Sequence, residues 1–241
     1  MPAGLDGNPN PIATASREAV LSAVTERVLA LGGNRALVAI DGRPGAGKST
    51  FADELAAKVT AGGRHVLRST TDSFHRPRSE RMRLGLTSAE GYYLESHQLT
   101  VITKELFEPF ARGANTVLLA AFDEPSDSSV HETAAVDEPA VLIFDGLFLQ
   151  RPEFGDVWDL VVFLQADRRL DQDWLDFLLA DLTGDATNRA AAIDERLSRA
   201  RWPRYRVGWS AYVEAVRPAD RATVVIDNND FAEPHFVRSI S

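Results

Sequence analysis

The chain has 241 residues, 44% apolar and 25% charged, enough for one well-buried domain with room for a small mobile subdomain. Its net charge of −9 argues against broad nucleic-acid binding, because a phosphate backbone calls for a basic face. The lack of cysteine excludes disulfides and thiolate metal sites and fits a cytoplasmic protein, and no apolar run approaches the roughly 20 residues that cross a bilayer.

Met1 to Ala15, rich in Pro, Gly and Asn, reads as a flexible leader without the features of a signal peptide. Val20, Val24, Val28 and Leu31 then recur at helical spacing, with Ser16 as N-cap and Gly32-Gly33 as the stop. Ala36 to Ile40 is continuously apolar, as a strand buried on both faces requires. A glycine-rich loop follows, then a helix over Thr50 to Thr60 and a second strand over His65 to Ser69. A helical stretch runs from Gln98 to Arg112, and Thr116 to Phe122 is a strand or hairpin arm. Asp123 to Pro139, crowded with acidic residues, Ser and Pro, reads as a surface loop. Ala140 to Phe144, Asp159 to Gln165 and Ala222 to Ile226 are further strands, with a helix over Arg168 to Leu182 between the last two. This alternation predicts a three-layer α/β domain over residues 16–241, with a mainly parallel sheet and a small helical lid near residues 180–206.

The segment Gly42-Arg43-Pro44-Gly45-Ala46-Gly47-Lys48-Ser49 has the form Gly-x4-Gly-Lys-Ser, between a strand and a helix. Its glycines let backbone N–H groups turn inward around phosphates, and the helix N-terminus adds a favourable dipole. In this reading Gly42, Gly45, Ala46, Gly47, Lys48, Ser49 and Thr50 hold the nucleotide. Lys48 reaches the β- and γ-phosphates, and the Ser49 hydroxyl coordinates Mg²⁺.

Three carboxylates, Asp72, Asp145 and Asp227, follow strand ends, where ligands bind in such sheets. Asp72 lies 24 residues after Lys48, placed either to accept the proton of an attacking hydroxyl or to hold an Asx-turn. Asp145 closes the run Val141 to Phe144, as a carboxylate supporting Mg²⁺ does. The five histidines, His65, His75, His97, His131 and His235, show no metal-ligand spacing and read as loop or surface residues. Phe74, Tyr92, Tyr93 and Phe122 offer either stacking surface or packing. Arg189, Arg196, Arg199, Arg201, Arg204 and Arg206 concentrate positive charge, on a closing lid or on a solvated helix face.

Together these blocks resemble the uridine kinase branch of the uridine kinase/phosphoribulokinase family, from about Leu37 to Asn229. Val38 to Gly42 with the phosphate loop, Thr71 to Arg78, and Leu142 to Phe148 carry the likeness. Glu90 to Tyr93, Phe122-Asp123, Arg204-Tyr205 and Ala222 to Asn228 add to it. The resemblance implies a P-loop kinase with a lid, Asp72 as catalytic base beside Lys48, and transfer of the γ-phosphate of ATP or GTP to a nucleoside hydroxyl. It points to Phe74, His75, Arg78, Tyr93, Phe122 and Arg204 on the acceptor side. The sequence departs from the family at Ala180, where the lid helix carries an arginine, and at Glu124 to Asp127, where a base-reading histidine is usual.

The expectation is therefore a magnesium-dependent kinase acting on a small molecule, without nucleic-acid or membrane partners. A sugar or pantothenate-like acceptor is the nearest alternative, and a nucleotide-binding protein with little turnover is the next. A regulatory GTPase is disfavoured because no Asn-Lys-x-Asp segment is present.

Overall fold

A computed structural model describes residues 14–166 and 203–239. The strands are β1 (Arg35–Gly42), β2 (His65–Thr70), β3 (Thr116–Asp123), β4 (Ser128–Ala135), β5 (Ala140–Gly146), β6 (Leu160–Gln165), β7 (Val224–Asp227) and β8 (His235–Ser239). The helices are α1 (Ala15–Ala30), α2 (Lys48–Ala61), α3 (Arg78–Arg81), α4 (Ala89–Glu95), α5 (Leu99–Val101), α6 (Glu108–Ala111), α7 (Pro203–Val216) and α8 (Pro218–Arg221). A π-helical stretch, Ile102–Phe107, joins α5 to α6, so the helix predicted from Gln98 to Arg112 has a widened middle.

Six strands form one sheet in the order β2-β5-β1-β6-β7-β8, all parallel except β8. Successive residues of the central strands face opposite sides, and both sides are covered. Val38, Ile40, Val141 and Ile143 pack on the side holding α1 and α2, with Val24, Phe51 and Leu55. Leu37, Ala39, Leu142 and Phe144 pack on the other side, with Phe74, Phe107 and Phe110. The three-layer α/β architecture expected from the sequence is the one observed.

The parallel register gathers the strand ends that matter. Asp145 pairs with Ile40 on one side and with Thr70 on the other. It therefore sits two residues before Gly42 on β1 and two before Asp72 beyond β2.

Several expectations are corrected. The surface loop expected over residues 123–139 contains β4, which pairs antiparallel with β3. Its residues are mostly exposed on both faces, so no period-2 apolar signal marks it, and the ladder comes from the partner strand. The edge strand β8 is largely exposed, and its sequence carries no strand signal for the same reason. The α1 N-cap is Thr14, whose side chain accepts from the Arg17 amide at 3.2 Å, while the Ser16 hydroxyl donates to the Pro234 carbonyl. The last parallel strand begins at Val224 and runs on to Asp227. Residues 1–13 of the expected leader, the helix Arg168 to Leu182 and most of the expected lid lie outside the described residues, as do Ala180, Arg189, Arg196, Arg199 and Arg201.

Candidate active site

The loop between β1 and α2 has the backbone that its glycines call for. A Cβ at Gly42 would lie 2.7 Å from the Leu164 carbonyl oxygen, so β1 and β6 can approach only with glycine there. Gly45 and Gly47 both have φ of +77°, a region costly for other residues. Gly47 is the N-cap of α2 and supplies no side-chain cap, which leaves the first-turn N–H groups of α2, Thr50 among them, facing the loop. Lys48 Nζ donates to the Arg43 carbonyl at 2.8 Å, drawing the loop into a ring, and the Ala46 amide donates to the same oxygen.

Lys48 is partly exposed, yet burial of its ammonium holds its pKa below the ordinary lysine value. The opposing attraction comes from Asp145, Asp72 and Asp41. Three carboxylates thus converge on one ammonium, the arrangement that the register of β1, β2 and β5 predicts.

Asp145 is 1% exposed and has both oxygens engaged. Ser49 Oγ donates to Oδ2 at 2.8 Å, and Arg68 Nη2 donates to Oδ1 at 2.8 Å. Arg68 also contacts Asp53 and the Ile143 carbonyl, which fixes it along the edge of the sheet. Asp72, by contrast, is exposed. It sits in a 3₁₀ turn, Thr71–Phe74, where the Thr70 hydroxyl accepts from the Asp72 amide. The turn is therefore capped by Thr70, and the Asp72 carboxylate is near enough to Lys48 to attract its ammonium.

The acceptor-side residues divide. Phe74 is fully buried against Phe144, and Phe122 is 3% exposed, so both are packing residues rather than stacking surfaces. Arg204 is 1% exposed, with its guanidinium near the rings of Tyr92 and Tyr205 and the backbone of Arg81 and Leu86. It ties α7 to the segment before α4, a structural role that its place in a charged cluster did not show. Arg206, in the same cluster, is exposed. Three remain accessible: Arg78 is exposed, while His75 and Tyr93 are partly so. Tyr93 has the Arg151 guanidinium 4.2 Å from its ring centre, which covers one aromatic face. Glu124, which opens the segment Glu124 to Asp127 where the resemblance calls for a base-reading histidine, pairs with Arg81 at 3.0 Å.

No family model matches the sequence, and no curated protein matches it. Solved structures do. A possible uridine kinase from Bacillus stearothermophilus aligns over 86% of this chain and 97% of its own, with TM-score 0.65 and 22% identity. A putative fructose transport system kinase from Silicibacter sp. TM1040 aligns over 83% and 94%, with TM-score 0.61 and 22% identity. The chain shares the three-layer α/β fold of these two structures. At this identity the likeness establishes architecture and leaves the activity open.

Within this fold, several residues of the site had no role assigned from the sequence. Asp41, 0% exposed, is the penultimate residue of β1, just before the phosphate loop. It accepts from Tyr212 Oη at 2.6 Å, from Gln150 Nε2 at 3.2 Å and from the Gly42 amide at 2.8 Å. Burial nevertheless pushes its carboxyl above the usual range, because the donors offset desolvation only in part. Asn228, also 0% exposed, donates to the Ala46 carbonyl at 2.8 Å and so clamps the P-loop from β7. Asp227 accepts from the amide of Asn229, an Asx turn rather than part of the chemistry. Asp41 stood in the sequence only as one residue of the block Val38 to Gly42, a carboxylate directly after an apolar run. Tyr212 and Gln150 had none, since their partner lies 171 and 109 residues away in the chain.

Proposed function

We propose that this protein is a small-molecule kinase that transfers the γ-phosphate of ATP or GTP to a hydroxyl group. The observation that carries the reading is that the exposed Asp72 carboxylate and the Asp145 carboxylate, itself hydrogen-bonded to Ser49, both attract the Lys48 ammonium. The residues present fit a magnesium nucleotide. Two positive-φ glycines leave room for phosphates, the desolvated ammonium of Lys48 gains most from an anionic partner, and a hydroxyl sits beside a carboxylate. Ser49 and Asp145 would hold Mg²⁺, which supplies charge neutralisation between the phosphates. Lys48 exchanges the Arg43 carbonyl for phosphate oxygens. Asp72 accepts the hydroxyl proton as the new O–P bond forms and the bond to the departing diphosphate breaks. Positioning and charge stabilisation supply the acceleration.

A nucleoside is the first acceptor class, by likeness to the uridine kinase branch. A sugar or other metabolite is the second, favoured by the burial of Phe74, Phe122 and Arg204, which removes three groups expected to read a nucleoside. Acceptor-dependent ADP release across a panel of nucleosides, sugars and pantothenate-like alcohols tests both. Tight Mg·ATP binding with no acceptor-dependent turnover across the panel would overturn the kinase reading.

A further inference from the structure

His75 and His97, 22 residues apart in the sequence, meet in the fold beside Asp72. One ligand atom from each of the three lies within 4.8 Å of the others. The two imidazole rings have centroids 4.7 Å apart, a spacing that lets both reach one ion. The backbone fixes them. His75 and His97 form an antiparallel bridge, flanked by bonds from the Arg76 amide to Ser96 and from the Gln98 amide to Phe74. The Asp72 carbonyl lies 3.0 Å from His75 Nδ1, so that nitrogen carries the proton and Nε2 presents its lone pair. His97 is 2% exposed, and its Nε2 has no hydrogen-bond partner among the described residues. A buried, unpaired imidazole nitrogen is costly unless something occupies it.

We propose that Asp72, His75 and His97 bind a divalent transition-metal cation of the zinc type. Two imidazoles and one carboxylate suit such an ion, whereas Mg²⁺ prefers oxygen donors. His97 is held neutral, by burial first and then by His75, Arg151 and Arg81, and only a neutral imidazole can ligate. The nearby guanidiniums are themselves balanced, Arg81 by Glu124 and Asp127 and Arg151 by Glu153. Three protein ligands leave a coordination position open. Resting on the kinase reading, such an ion ties up the Asp72 carboxylate and makes the site inhibitory.

The test uses the full chain without nucleotide, titrated with Co²⁺ followed by its visible spectrum and with Zn²⁺ followed by calorimetry. One equivalent is expected to bind. Affinity should fall at least about tenfold in His75→Gln, in Asp72→Asn and in His97→Gln, and stay unchanged in Ser49→Ala. The first two positions are accessible, so they decide the matter if His97→Gln fails to fold. Failure of the folded wild type to bind either metal overturns the site, and so does wild-type affinity retained in both His75→Gln and Asp72→Asn. Binding lost in those variants but without Zn²⁺ inhibition of turnover upholds the site and removes Asp72 from its role as base.

Discussion

Ser49 Oγ donates to Asp145 Oδ2 at 2.8 Å, joining the start of α2 to the end of β5 across 96 residues of chain. The other oxygen of Asp145 is held by Arg68, so this carboxylate is preorganised between a hydroxyl and a guanidinium. Arg68 therefore stands both as the support of Asp145 and as a competing cation for it.

Replacing Arg68 by Met leaves Asp145 buried with one partner fewer. We expect a loss of about 2 kcal/mol in the absence of divalent ions, because a buried charge is left less compensated. Added Mg²⁺ should restore most of it, since a cation at Asp145 replaces the missing charge. Urea denaturation with and without Mg²⁺ measures both, and equal destabilisation in the two conditions would show that Asp145 does not meet the metal.

Lys48→Met should lower turnover by roughly two to three orders of magnitude while leaving thermal stability unchanged or slightly raised. Activity is lost with the charge, whereas the fold is relieved of a desolvated ammonium. Steady-state kinetics and a melting curve on one preparation decide it. A large drop in melting temperature would mean that Lys48 chiefly braces the loop.

Asp72→Asn keeps the size of an exposed side chain and removes its basicity. Nucleotide affinity should stay within about threefold, and kcat should fall by about 10²- to 10⁴-fold, the usual reach of a general base. Unchanged turnover in a well-folded variant would remove Asp72 from the mechanism.

Tyr212→Phe deletes the hydroxyl that donates to Asp41 and accepts from the Gln150 amide. Hydrogen bonds to charged groups contribute about 1.5–3 kcal/mol, and a loss in that range is expected where Asp41 is ionised. Asp41 has a raised pKa in the folded protein, so the stability it contributes is full below its unfolded pKa and is lost as pH rises through the folded value. Removing a donor to its charged form raises that pKa further. The stability gap between wild type and variant should therefore widen as pH rises above the ordinary carboxylate range, and a gap that narrows would contradict the assignment.

Gly47→Ala forces φ of +77° on a residue with a Cβ, which would stand 3.1 Å from Asn228 Nδ2 and 3.2 Å from the Phe231 ring. The left-handed backbone costs roughly 1–2 kcal/mol. Nucleotide affinity should fall more than stability, as read by calorimetric titration beside denaturation, because the strain bears on the phosphate loop itself.

Features governed by neighbours in the chain are legible in the residues themselves. Gly42 to Ser49 fixes a loop conformation through short-range sterics, and the buried runs at β1 and β5 specify strands through hydrophobicity alone. Asp72 and Asp145 stand out because each lies just beyond such a run. What the sequence could not show depends on contacts between distant segments. The β4 and β8 strands are exposed and take their order from a partner strand rather than from their own pattern. Phe74, Phe122 and Arg204 face inward because packing, not residue type, chooses the face. The Gly-x4-Gly-Lys-Ser segment by itself determined how phosphates can be held. Only the parallel register of β1, β2 and β5, which brings Ile40, Thr70 and Asp145 side by side, decided that Asp72 and the Ser49–Asp145 pair flank one ammonium. Register is set by whole strands pairing across the sheet, and no single segment encodes it.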